Sequence, residues 1–402
     1  MIRVEPEDVG LSAARLRRIG PVMQAYIDEG KIPGLSVMLA RRGKVAYAEC
    51  FGKRDDPDVP MTQDTIFSIA SMTKPIISVA VLMLYEEGRF QLNDPVSRYI
   101  PEFQDTKVYV KMEGDRMVLA DQEQQISIRH LLTHTSGLHY PWGIAPALLP
   151  LLEEAKLDDP KRTTQDFVQE LAKLPLSFQP GTSWAYGQSH DVLGYLVEVI
   201  SGMSLDAFLE QKIFGPLGMP DTDFYVPPDK IGRFAARYEV SQEGFELAQT
   251  PASRRHAKPA RFMSGGGGLV STVPDYGRFA QMLLNGGELD DVRLLGRKTV
   301  TLMTMNHLSP PEVSAFASRL SVDRYYWKGH GYGLGVRTLL SLAENEIVGS
   351  VGNYGWSGVD NTYFWVDPQE ELFGFVWGQY SPMFFYPIER QLMVLAYQAI
   401  ID

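Results

Sequence analysis

Ser71 stands three positions before Lys74 in "SIASMTKPIISVAVLML", and helical spacing puts the two side chains on one face, about a turn apart. An amine in that place reaches the hydroxyl and can take its proton, which makes the serine a nucleophile toward a carbonyl. An apolar setting favours the neutral form of a lysine, the form a base needs. A serine at a helix start also turns its own backbone N–H toward an anion forming beside it. A second polar group must carry the proton to the leaving group, and "GTSWAYGQSHDVLGYL" offers Tyr186, in a Gly-rich turn before an apolar helix. The bland alternative makes Ser71 a helix cap, Lys74 a first-turn surface residue and Tyr186 a packed aromatic. It explains the serine but not a lysine leading straight into the most hydrophobic helix of the chain.

The elements that must position these groups are legible in outline. After Lys74, apolar residues cover nearly every face until Gly88, as in a buried central helix rather than an amphipathic surface one. Residues 11–29 carry apolar positions at helical spacing, and "GLSVMLARRGKVAYAECFG" reads as a hairpin. The span from about Leu92 to Gly218 is dominated by helical patterns and loops, and within residues 225–260 the stretches "VPPDK" and "TPASRRHAKPA" read as loops that line the cleft or cover a lobe. Strands return around the turn "DPQEE", and "PIERQLMVLAYQAI" closes as a helix. The pattern predicts an α+β protein, an α/β sandwich whose antiparallel sheet is built from both chain ends and flanked by helices, with a mainly helical second domain. Residues 1–75 and 240–402 are assigned to the first and 76–239 to the second, with the site in the cleft between them.

Other constellations carry less. His130 and His134 have the spacing of a helical metal pair, but no glutamate follows His130 and no third ligand is fixed, so His134 is expected to support a loop by hydrogen bonding. A triad using His190 and Asp191 lacks a Gly-x-Ser-x-Gly elbow. "GGGGLVST", Gly265 to Thr272, lacks a phosphate-loop ending and reads as close-packed backbone leading into a helix. Cys50 alternates within a strand and reads as a buried spectator. No metal or cofactor is called for.

The 402 residues carry a formal charge of -11 and only short basic clusters, such as Arg254, Arg255 and Lys258, which argues against a nucleic-acid partner. No apolar run is long and charge-free enough to span a bilayer, and the acids in "MIRVEPEDVG" do not suit a secretory signal, so a cytoplasmic protein is expected.

"SMTK", "LLTHTSGL", "FQPGTSWAYGQ", "IFGPLGM", "GGGGLVST" and "YGWSGVDNTYFW" occur in an order and spacing that resembles the serine hydrolases of the class C β-lactamase fold, above all the family VIII carboxylesterases, over nearly the whole chain. The resemblance implies Ser71 as the acylated nucleophile, Lys74 as its partner and Tyr186 as the tyrosine of a Tyr-x-Asn element. It also implies an oxyanion hole from the backbone N–H groups of Ser71 and Val359, the latter following strand glycine Gly358. Two departures bear on substrate. Gln188 replaces the element's asparagine, and Trp356-Ser357-Gly358 stands where β-lactamases carry Lys-Thr-Gly. A lysine there would pair with the carboxylate of a β-lactam, whereas an indole offers an apolar wall. The expectation is an esterase for small, uncharged, short-chain esters, with Trp356, Tyr140 and Trp142 as candidates for the acyl or alcohol pocket. A β-lactamase or D-alanyl peptidase, an acyltransferase sharing the acyl-enzyme, and a non-catalytic binder of the same fold are the alternatives.

Overall fold

Leu35, Val37 and Leu39 pack on one face of a strand while Met38 and Ala40 pack on the other, and both sets are buried. A strand covered on both faces reads as a continuous apolar run, and this one lies inside an eight-stranded sheet. In the computed structural model, which describes residues 1–141, 145–319 and 327–402, the strands are β1 (Gly34–Arg41), β2 (Lys44–Asp55), β3 (Val59–Pro60), β4 (His330–Tyr332), β5 (Arg337–Leu339), β6 (Tyr354–Gly358), β7 (Thr362–Asp367) and β8 (Leu372–Trp377). Their spatial order is β4-β5-β6-β7-β8-β1-β2-β3, antiparallel throughout. The sheet is therefore assembled from both chain ends, and β1 joins them by pairing Ser36 with Trp377 and Arg41 with Leu372.

Helices cover both faces. On one, α1 (Ile19–Asp28) and the last helix α5 (Ile388–Tyr397) bury Ile19, Met23, Leu392 and Ala396 against Leu35, Val37, Trp365 and Val376. On the other, α2 (Thr73–Glu86) and α4 (Val273–Leu284) bury Ile76, Ile77, Tyr276 and Phe279 with Phe364, Phe375 and Trp377. Each such side chain contributes about 1.5–3 kcal/mol of burial. The second layer fixes the site, because α2 packs against α3 (Ser189–Ser201), the apolar helix that follows the Tyr186 turn. Every residue from Thr73 to Leu82 is buried, as the all-round apolar pattern of α2 requires.

One region differs from expectation. The largely helical middle contains a hairpin, Val108–Glu113 with Arg116–Ala120, turning at Gly114 with φ 61°. Much of its surface is exposed, so apolar patterning there is weak. Between the two loop-like stretches of residues 225–260 lies a second hairpin, Arg237–Ser241 with Gly244–Gln249, whose first strand pairs in parallel with Tyr380–Ser381. Cys50 is half-buried, beside Ser36 and Gln63.

Candidate active site

Ser71 sits in a tight turn rather than inside α2. Ala70 to Met72 form one 3₁₀ turn, and α2 starts at Thr73. Ala70 has φ 42°, a left-handed conformation that costs an alanine free energy and persists only because the surroundings fix it. They do so from the next element: the Gln379 side chain accepts from Ser68 N–H at 2.7 Å and donates back to Ser68 C=O at 3.2 Å. The turn lifts Ser71 into partial solvent exposure while Lys74, one step into the helix, is fully buried.

Lys74 Nζ reaches Ser71 Oγ at 3.2 Å, the Gly266 carbonyl at 2.6 Å and the Tyr140 hydroxyl at 3.5 Å. The Gly266 carbonyl is held in place by Asp191, which accepts from Gly266 N–H at 2.9 Å and Ser264 Oγ at 2.6 Å. No side chain fits at position 266, since a Cβ would lie 2.5 Å from Asp191 Oδ2 and 2.9 Å from the Tyr140 oxygen. Burial raises the Asp191 pKa. It also pushes the Tyr140 phenol well above its ordinary value, assisted by the nearby Asp191 charge, so Tyr140 keeps its proton.

Tyr186 meets Lys74 with its ring, whose centroid is 4.5 Å from Nζ, and not with its hydroxyl. The hydroxyl accepts from Trp356 Nε1 at 3.3 Å. His134 packs on the Tyr186 ring at 4.8 Å and on His190 at 4.9 Å. Both His134 nitrogens lack a hydrogen-bond partner, so its support of the loop comes from packing and not from the hydrogen bonding expected of it. Burial, His190 and Lys74 together hold the His134 pKa well below the usual imidazole range.

Two unpaired backbone donors lie on the segments that meet at the serine turn. Neither Ser71 N–H nor Val359 N–H bonds to a protein acceptor among the described residues. Gly358, the residue before Val359, packs on the turn because it has no side chain: a Cβ there would sit 2.5 Å from the Ile69 carbonyl and 2.3 Å from Thr362 Oγ1. Thr362 Oγ1 donates to that same carbonyl at 3.3 Å. Asp360, next to Val359, is paired with Arg237 at 2.9 Å and Arg254 at 3.4 Å, and Arg254 also donates to Gln379 at 2.6 Å. One buried polar network thus ties the serine turn to the end of β6.

Ser71, Lys74, Tyr140 and Tyr186 come together, and Gly358 packs on the Ile69 carbonyl at the serine turn, with Val359 following it in the chain. Trp356 is at the site but is only 3% exposed, packed among Tyr186, Tyr332 and Trp327. The small residues of "YGWSG" do not leave it as an open wall, because aromatic neighbours from three other segments close over it. Gln188 is buried with its Oε1 unpartnered and makes no hydrogen bond to Ser71, Lys74 or Tyr186. Trp142 lies outside the described residues. His190 bonds Ser78 at 3.1 Å, so His190 and Asp191 form no triad with Ser71. His130 accepts from Ser127 N–H within a helix cap, and no acidic, His or Cys cluster suited to a metal occurs among the described residues. Gln379, Arg254 and Asp191 were not assigned to this site from sequence. Gln379 and Arg254 belong to no motif, and Asp191 was weighed only as a triad acid.

The family profile described as Beta-lactamase matches residues 20–398. The chain belongs to the beta-lactamase family. Within it, the chain is 33% identical over 349 residues to Protein Rv1367c of Mycobacterium tuberculosis, covering 86% of this chain and 85% of that protein. It is 34% identical over 295 residues to Esterase EstB of Burkholderia gladioli, 68% of this chain and 71% of the esterase. Its fold is similar to that of EstCE1, a hydrolase with promiscuous acyltransferase activity, with TM-score 0.78 and 25% identity over 97% of this chain and 99% of that one. These likenesses bear out the family VIII carboxylesterase resemblance and make this beta-lactamase family member a serine hydrolase in outline. No single helix among the described residues is long and apolar enough to cross a membrane.

Proposed function

We propose that this protein is a serine esterase that cleaves short-chain carboxylic esters through an acyl-enzyme on Ser71. The observation that carries the reading is Lys74 Nζ, buried and 3.2 Å from Ser71 Oγ, in a turn against which the end of β6 packs at Gly358, with the N–H groups of Ser71 and Val359 unpaired among the described residues. Ser71 Oγ gives its proton to Lys74 and bonds to the ester carbonyl carbon. The carbonyl oxygen becomes an anion between the Ser71 and Val359 N–H groups. Collapse breaks the bond to the alcohol oxygen, which leaves with a proton delivered from the Lys74 and Tyr186 side. The same groups then deprotonate a water, whose attack releases the acid and restores Ser71. Trp356 holds the Tyr186 hydroxyl in this scheme and occupies the place where a lysine would bind a β-lactam carboxylate, which supports an ester uncharged at that end.

Acyl transfer to an alcohol is the second reading. It is supported by the likeness to EstCE1 and differs only in what removes the acyl group. Two assays test both. The first compares kcat/KM for 4-nitrophenyl butyrate with that for a chromogenic cephalosporin, with Ser71→Ala as the blank. A ratio far above one is expected, and a ratio at or below one overturns the ester assignment. The second adds an alcohol acceptor, and new ester at the expense of free acid would replace hydrolysis by transfer.

A further inference from the structure

Arg254 and Arg255 are neighbours in sequence with opposite surroundings. Arg254 is buried in the network with Asp360 and Gln379, whereas Arg255 is open to water and forms no ion pair among the described residues. The Arg255 guanidinium donates to the carbonyl of Gly267. That carbonyl directly follows the Gly266 carbonyl that holds Lys74. Consecutive carbonyls of one loop therefore carry the base and a solvent-accessible guanidinium. Gly267 itself lies against Ala70, the residue before the nucleophile, with its nearest atom 3.6 Å from the position a Cβ would take.

Enough protein surrounds Arg255 for desolvation to lower its pKa, opposed by the charges of Asp191 and Asp360 and by Tyr140. Water still reaches its side chain. Lys258 and Arg261, farther along the same segment, are also exposed and without ion pairs among the described residues. Unpaired cations on one short segment stand out in a chain of net charge -11. A guanidinium with one N–H spent on a backbone carbonyl keeps further N–H groups for a planar anion.

We infer that Arg255 forms an anion subsite beside Ser71, and that the preferred substrate is an ester carrying a carboxylate in its acyl or alcohol part. The inference rests on the esterase reading and refines it: the end of the substrate that meets Trp356 is uncharged, and the end that reaches Arg255 is charged. Lys258 and Arg261 draw the anion toward the cleft at longer range.

Two pairs of probes separate the acyl and alcohol sources of the charge. Mono-4-nitrophenyl glutarate against 4-nitrophenyl valerate places the carboxylate on the acyl chain. 3-Acetoxybenzoate against phenyl acetate places it on the leaving group. For at least one pair, the ratio of kcat/KM for the charged ester to that for the neutral ester is expected to fall about tenfold or more in Arg255→Ala, to recover in part in Arg255→Lys, and to shrink with added salt. Because each ratio is measured on one sample, loss of folded protein cancels. Ratios in Arg255→Ala equal to those of the unaltered protein for both pairs overturn the subsite. Failure of all four esters to react in the unaltered protein overturns the esterase reading instead, so the two failures are distinct.

Discussion

The two sides of Ser71 are built from different materials. On one side are ionisable and aromatic side chains, Lys74, Tyr186 and Tyr140, braced by Asp191 through the Gly266 loop. On the other, the end of β6 packs on the serine turn at Gly358, and the two groups proposed to face the hydroxyl, the N–H of Ser71 and of Val359, belong to the backbone. Proton transfer needs groups that titrate, so it is written in residue identity. Stabilising an oxyanion needs fixed dipoles, which any residue supplies once its backbone is held. Substitution should therefore act differently on the two sides.

The largest effect is expected on the side-chain face. Ser71→Ala and Lys74→Ala should each lower kcat for 4-nitrophenyl butyrate by about 10³-fold or more, and the double variant should be scarcely worse than either, because the pair acts as a unit. Additive losses would break the claim that Lys74 works through Ser71. Across the hydroxyl, Gly358→Ala places a methyl against the Ile69 carbonyl. It should cost roughly 10²–10³-fold in kcat, the scale of losing one oxyanion donor. Unchanged turnover would show that Val359 N–H is not a donor.

Next in size is Gln379→Leu, which removes both bonds to Ser68 and one partner of Arg254. A loss of about tenfold to a hundredfold in kcat with little change in KM is expected for a displaced serine turn. Gln379→Glu, which keeps an acceptor for Ser68 N–H and Arg254, should recover part of it. Equal losses in both variants would reduce Gln379 to a stability residue.

The smallest effect concerns acid. All seven histidines have lowered pKa values, chiefly through burial, with His130 and His139 at about 4. Below about pH 6.5 the unfolded chain takes up protons that the folded chain refuses, so stability should fall as pH drops from there toward 4. Thermal melts at about pH 7.5 and about pH 5 test this, with a drop of several degrees expected. A His134→Phe variant should lose less than the unaltered protein. A flat profile would mean that other groups compensate.

The same division explains what was legible in the sequence. Ser71, Lys74 and Tyr186 announce themselves because their chemistry is in their side chains and their spacing is local. The hairpin of β1 and β2, the buried α2 and the pairing of β7 with β8 were legible because continuous burial leaves an apolar record. Gln379 and Arg254 left none, since a buried glutamine or arginine gains its meaning only from partners far away in the chain. Trp356 was placed correctly on β6, but its closure by Tyr332 and Trp327 depends on how three segments meet. The exposed hairpin at residues 108–120 escaped because neither face carries a strict apolar pattern.

The pairing of β1 with β8 has a consequence in time. During synthesis the serine and its lysine emerge early, but the strand that must lie beside β1 is made only when residues 372–377 appear. Until then Ser71 has no Gln379 to hold its turn and no Val359 across from it. Such long-range closure is slow compared with local helix formation. A nascent chain therefore holds Ser71 beside Lys74 before the Gln379 brace exists, and the serine turn is completed only when the two ends meet.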